Sequence, residues 1–250
     1  MKLERNSGIL LHPTSLPDSP VCGSFGKPAR EWLNELAAFG IGVWQFLPLA
    51  PTDSLGSPYS SPSSFALNPW FLDQNDLVRD GFLANNLEDF SSANDCFKNR
   101  VDFQLANSKV KSLRFSLVDD WYKQNRTIQE EFEIWCSKQF WLDDHSIFME
   151  LKIQNNDLPW WEWPDEYAGR DKKELENWKK NNQKELLGHK LLQWHLDRQW
   201  QSIRELAKNL GIYLFGDVPF YVSKDSADVW GNRSLFSILT NSDTFLQSGV

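Results

Sequence analysis

The chain has 250 residues, 41% of them hydrophobic, with 26 Lys and Arg against 34 Asp and Glu, a formal net charge of −8 and a pI near 5.1. It is long enough to bury a core as one large domain or two small ones, but it has no basic stripe to neutralise phosphates and no segment long enough to span a bilayer, which argues against nucleic acid and membrane as partners. Three widely spaced cysteines, Cys22, Cys96 and Cys136, make a disulfide framework a poor fit and suit a cytoplasmic protein with reduced thiols.

In chain order, Gly8-Ile9-Leu10-Leu11-His12 is a short apolar run closed by Pro13, a strand by its length and flanks. A loop with Pro17, Pro20, Gly23 and Gly26 follows. Pro28 then opens a helix in which Ala29, Trp32, Leu33, Leu36 and Ala37 recur at spacings that put them on one face, and Gly40 is placed to end it. A second strand, Ile41 to Leu47, starts at once and stops at Pro48.

An insertion runs from about Ala50 to about Lys184, opening as a loop rich in Ser, Pro and Gly. Within it, Val110-Leu113-Leu117-Trp121 and Phe132-Cys136-Phe140 form helical stripes, the second placing Cys136 in a packed face, and the charged stretch from Arg170 to Lys184 is a solvated helix. After the insertion Leu192, Leu196, Trp200, Ile203, Ala207 and Leu210 make one stripe that ends at Gly211, and the strand Ile212 to Phe215 begins immediately. Helix, capping glycine, apolar strand and a Pro-bearing exit thus occur twice, which predicts a parallel sheet of buried strands covered by helices.

The sequence has no Walker loop, GxGxxG, GxSxG or HExxH motif, and no cofactor or metal is expected. Asp143-Asp144-His145 resembles a metal cluster, but consecutive helical residues point in different directions, so the trio is expected on a solvated face. Two features suit a neutral polyhydroxyl ligand. Thirteen tryptophans supply flat apolar faces, and the loop from Gly56 to Trp70 mounts hydroxyls, an amide and three aromatics after a strand, where its polar groups are expected to face a ligand. Asp217, directly after the third strand and before Pro219, is either a turn cap or a functional acid at a strand's C-terminal end.

His12-Pro13-Thr14-Ser15-Leu16-Pro17, Trp44-Gln45-Phe46-Leu47-Pro48-Leu49-Ala50-Pro51-Thr52, Ser57-Pro58-Tyr59-Ser60 and Ala66-Leu67-Asn68-Pro69 resemble the opening of the 4-α-glucanotransferases, the amylomaltases or disproportionating enzymes. Gly216-Asp217-Val218-Pro219-Phe220-Tyr221-Val222 and Asp225-Ser226-Ala227-Asp228-Val229-Trp230 are similar to that family's next motif, in order and spacing. The resemblance implies an α/β fold: the N-terminal portion of a TIM (β/α)8 barrel, with a helical subdomain inserted after the second strand. Residues 1–49 would then hold two barrel strands and their connecting helix, 50–184 the inserted loop and subdomain beside the cleft, and 185–250 a helix and the third strand, where the chain is cut short.

The same resemblance implies that Ser57 and Tyr59 belong to a donor-side loop whose aromatic ring stacks on glucose, and that Asp217 hydrogen-bonds sugar hydroxyls beside the scissile bond. Its substrates would be α-1,4-glucans, transferred to the 4-hydroxyl of another glucan or of glucose with retention, chemistry that uses two carboxyl groups roughly 5 Å apart. The tryptophans of Leu158-Pro159-Trp160 and Trp163-Pro164 are expected to pack the subdomain. Two departures stand out. Phe103 occupies a position where relatives can carry tyrosine at an accessory glucan site, and the nucleophile's Arg-x-Asp-His motif is absent from the chain. The nucleophile and acid/base are therefore expected beyond Val250, and the 250 residues alone are expected to be inactive. An amylase-type hydrolase and a non-catalytic carbohydrate-binding module are the alternatives.

Overall fold

The computed structural model describes residues 5–17, 21–84 and 100–236; Cys96 and the run Asn241 to Val250 lie outside the described residues. Three strands, β1 (Gly8–Leu10), β2 (Val43–Gln45) and β3 (Tyr213–Phe215), form a parallel sheet in that order. The α-helices are α1 (Lys27–Ala38), α2 (Gln74–Arg79), α3 (Phe103–Trp121), α4 (Arg126–Ser137), α5 (Leu142–Gln154), α6 (Asp165–Ala168), α7 (Lys172–Asn181), α8 (Gln183–Asn209) and α9 (Ala227–Gly231). Among the described residues no helix is long and apolar enough to cross a membrane.

The chain divides into two compact units. The first comprises Met1–Leu49, Leu67–Gln139 and Leu187–Val218, and the second Ala50–Ala66, Phe140–Leu186 and Pro219–Val250. Within the first unit α3 and α4 pack into the core that carries the sheet. Leu113, Leu117, Trp121 and Phe132 are buried there with Leu191 and Trp194 of α8.

In the first unit the helix-to-strand device appears twice in identical form. After α1, Gly40 N–H donates to Ala37 O and Ile41 N–H to Leu36 O; after α8, Gly211 donates to Lys208 O and Ile212 to Ala207 O. This is the Schellman closure, which needs a left-handed residue at its pivot; Gly40 and Gly211 have φ of 68° and 72°. The closure leads directly into each strand, β2 starting two residues after Ile41 and β3 one residue after Ile212. Trp44 pairs with Ile9 on one side and Leu214 on the other, so these three share a face by the two-residue period of a strand. That face meets the helices: Trp44 is fully buried, its Nε1 donating to Leu11 O at 2.8 Å, and Leu214 packs against the same core as α1 and α8.

The expectation that all three strands are buried fails on the opposite face and on β1. Tyr213 and Phe215 are 46% and 59% exposed, and β1 is exposed throughout. The physical reason is that, among the described residues, only one face of this sheet is covered within the first unit, and β1 and β3 each have one edge without a strand partner.

Long-range side-chain to backbone bonds hold the loop after Ala66 to α8. The Gln193 amide brackets Leu67, accepting from its N–H at 2.9 Å and donating to its carbonyl at 2.8 Å, and Gln199 does the same for Asp73 at 2.9 Å in both directions. The two glutamines act as single rungs of a strand pairing. Gln199→Leu would leave the buried Asp73 N–H without a partner and its C=O with only the 3.4 Å bond from Leu77 N–H, so we expect a loss of about 2 kcal/mol in denaturant unfolding. A loss below about 1 kcal/mol would show that water replaces both bonds. Asp73 is further fixed by Ser24 Oγ at 2.6 Å and caps α2, whose Asp76 forms a two-pronged ion pair with Arg30 of α1.

The α3 stripe is as expected, with Leu113, Leu117 and Trp121 buried. In the α4 stripe Phe132 is buried and Cys136 packs against the core, but Phe140 is exposed, because the helix ends at Ser137 and the phase of the stripe is lost.

The second unit is built around Phe148, Leu151, Trp160, Trp163, Trp178 and Trp230. Trp160 and Trp163 pack as expected, with Nε1 of Trp163 donating to Leu158 O at 2.9 Å. The solvated-face expectation for Asp143-Asp144-His145 is corrected at two residues. His145 is buried, since it lies on the inward stripe of α5 with Ile147 and Phe148, and Asp144 accepts from Arg170 Nη2 at 2.6 Å. The helix α7 is amphipathic, turning Leu175 and Trp178 inward and its lysines outward.

Candidate functional site

In the first unit the C-terminal strand ends carry His12, Phe46 and Asp217. Leu11 N–H donates to Gln45 O and Phe46 N–H to Phe215 O, so backbone pairing continues to the mouth of the sheet. The glycine at position 216 lies against Phe46: a Cβ there would stand 3.3 Å from the ring. Asp217 follows it, two residues past β3, on an exposed segment. His12 is partly buried beside Phe71, ring centroids 5.6 Å apart, and burial lowers its pKa to about 4, so it is neutral at pH 7.

In the second unit the loop carrying Ser57 and Tyr59 is shaped by carboxylate and hydroxyl groups. Asp53 Oδ1 accepts from the N–H groups of Leu55 and Ser57, both at 2.9 Å, closing a turn around Gly56. Ser57 Oγ then accepts from Tyr59 N–H at 3.3 Å and caps a single 3-10 turn, Pro58–Ser60. The structure thus brings Ser57 and Tyr59 together: the serine hydroxyl sets the turn on which the ring is mounted. Pro58 is buried beneath the turn and Tyr59 is 44% exposed. Asp217 belongs to the other unit.

The expectation that the polar groups of the loop face a ligand is corrected at three positions. Ser61, Ser63 and Asn68 are buried and serve the backbone instead. Ser61 Oγ donates to Ser63 O and accepts from Ser63 N–H, Ser63 Oγ accepts from Phe65 and Ala66 N–H, and Asn68 Oδ1 accepts from Trp70 N–H. Short polar side chains often satisfy a folded-back chain in this way, and sequence pattern does not distinguish it from ligand binding.

Sequence reasoning missed what holds this loop in place. Asp228, in the first turn of α9, accepts from Ser64 N–H at 2.9 Å, and Ala227 N–H donates to Pro62 O at 2.9 Å. Burial raises the pKa of Asp228, and the hydrogen bonds from Ser64 act against that rise. On the other side of the same turn, Asp225 pairs with Lys152 of α5 at 2.5 Å and accepts from Trp160 N–H. The sequence signal was present in the Asp225-to-Trp230 motif, but its partners are 164 and 73 residues away. Phe103 lies stacked on Trp70, centroids 5.2 Å apart, in the first unit. Among the described residues no group of three His, Cys, Asp or Glu side chains is placed to hold a metal ion.

A parallel sheet with helices on one face and polar side chains at the C-terminal strand ends defines an α/β protein of the kind that works at those ends. The comparisons narrow this further. The 4-alpha-glucanotransferase family profile matches residues 11–249, and the chain belongs to that family. The chain is 38% identical to a 4-alpha-glucanotransferase of Synechocystis sp. over 238 residues, 94% of this chain and 46% of the relative. To one of Thermus thermophilus it is 36% identical over 240 residues, 95% of this chain and 47% of the relative. Its structure is similar to that of an amylomaltase from Streptococcus agalactiae in complex with acarbose, with a TM-score of 0.86 and 29% identity over 95% of this chain and 48% of that one. The chain spans about half the length of the relatives it matches.

Proposed function

We propose that these residues form the N-terminal part of a 4-α-glucanotransferase that moves an α-1,4-glucan segment to the 4-hydroxyl of another glucan or of glucose by a retaining double displacement. The observation that carries this reading is a family match running through both the Ser57–Tyr59 turn and the Asp217 strand end. In this reading the three strands are the first of a TIM barrel, with a helical subdomain inserted after the second strand. Among the described residues β3 has an unpaired edge, which suits a sheet that continues. No cofactor takes part.

Tyr59 supplies a stacking face for a glucose ring, Ser57 holds the turn beneath it, and Asp217 accepts hydrogen bonds from sugar hydroxyls next to the bond that is cut. The nucleophile and acid/base come from sequence outside these residues, since no Arg-x-Asp-His motif occurs here, and the 250 residues alone do not turn substrate over. The neighbouring structure that holds acarbose supports an oligosaccharide as ligand for this fold.

Stacking holds the sugar equally in ground and transition states, so its loss should act on KM. In the complete protein that contains these residues, Tyr59→Ala is expected to raise KM for maltotriose about tenfold, with kcat within about twofold. Initial-rate kinetics check this; an unchanged KM would remove Tyr59 from the site.

A further inference from the structure

The Ser57–Tyr59 turn presents its ring at the start of a loop in which Pro58 and Ala66 are buried, and Tyr59 is half exposed. A stacking residue is useful only when the plane of its ring is fixed before the sugar arrives, since ordering it on binding costs affinity. From Ser61 to Ala66 the loop is wound on its own hydroxyls, so this stretch moves as one piece. That piece is tied to the rest of the second unit by the Phe65 ring, which lies 4.9 Å from that of Phe140 and 6.4 Å from that of Trp141, and by a pair of bonds at the N-terminus of α9. One is backbone to backbone, Ala227 to Pro62; the other is the Asp228 carboxylate accepting from Ser64 N–H at 2.9 Å. The turn that carries Asp228 is itself rigid: Ser226, completely buried, caps α9 by accepting from Val229 N–H, and Asp225 is locked to Lys152.

We propose that Asp228 is a positioning residue for glucan binding: its carboxylate anchors the loop through Ser64 and so fixes the placement of Tyr59, without itself touching substrate. This rests on the reading of Tyr59 as a sugar-stacking residue. The chemistry suits the task. A charge-assisted bond to a backbone N–H in a partly desolvated setting is stronger than a neutral one and demands one geometry.

The test uses the complete protein, with two readouts on each of two variants. Asp228→Ala keeps the Ala227–Pro62 bond, while Asp228→Asn keeps an oxygen that can accept from Ser64. For Asp228→Ala we expect hydrogen exchange at the Ser64 amide to accelerate about tenfold or more and KM for maltotriose to rise about tenfold, with kcat within about twofold. Asp228→Asn should recover most of both effects. Unchanged exchange at Ser64 in Asp228→Ala would overturn the anchor. Faster exchange with an unchanged KM, or a fall in kcat alone, would overturn its role in positioning. If Tyr59→Ala leaves KM unchanged, the stacking reading fails and the positioning role with it, whereas the exchange result still reports on the anchor by itself. If Asp228→Ala does not fold, Asp228→Asn carries the test: retained exchange protection and KM support the proposal, and loss of protection with normal KM contradicts it.

Discussion

Asp217→Asn in the complete protein is expected to lower kcat about tenfold or more while stability stays within about 1 kcal/mol. Asp217 follows β3 on an exposed segment, where a side chain carries little packing. A carboxylate at that place can accept hydrogen bonds from sugar hydroxyls, and such bonds tighten as the ring flattens towards an oxocarbenium-like state. Their loss therefore falls on the transition state rather than on the bound substrate, in contrast to Tyr59. If Asp217 were a turn cap, the same substitution would lower stability and leave kcat of the folded fraction unchanged. Measuring kcat and Tm on one variant separates the two roles.

Lowering the pH from 7 to 5 is expected to destabilise the sheet-bearing unit by about 4 kcal/mol, about 2 from each of two buried imidazoles. His195 lies on the inward face of α8, its ring against Phe82 and Trp194 with centroids 4.6 and 4.8 Å away, and burial together with Arg198 lowers its pKa to about 3. Burial alone lowers His12 to about 4. In the unfolded chain both return to about 6.5 and take up protons that the folded state refuses. The unfolded state thus binds more protons from about pH 6.5 down to the folded values, and stability falls as pH falls through that window. The raised carboxyl of Asp228 works in the opposite sense, in the other unit. Denaturant unfolding at pH 7 and pH 5 measures the loss, and His195→Gln should remove about half of it; equal stability at the two pH values would contradict the account.

The features that were legible in the sequence are the ones set by local geometry. Gly40 and Gly211 end helices because a left-handed pivot is needed within one turn of the chain, and the stripes of α1, α3 and α8 follow from a period of 3.6 residues. The exposure of Tyr213 and Phe215 was not legible, because an apolar strand looks the same whether or not a neighbour covers its second face. Nor was the inward turn of Ser61 and Ser63, whose hydroxyls suit a sugar and a backbone equally well. The brackets made by Gln193 and Gln199 each join residues 126 apart, and no spacing rule connects an amide on one helix to a loop that far away. Of the site itself, the motifs placed Ser57, Tyr59 and Asp217 on a loop and at a strand end; the anchor from Asp228 to Ser64 became visible only once the chain was folded.

The most direct test of the proposed function is the set of products formed from maltotriose. The complete protein containing these residues should yield glucose together with maltooligosaccharides longer than three units, because the glucosyl intermediate is passed to a sugar 4-hydroxyl, and the 250 residues alone should yield neither. Products no longer than maltotriose from the complete protein would show that water takes the intermediate and would make it a hydrolase, and turnover by the 250 residues alone would contradict the placement of the catalytic acids outside them.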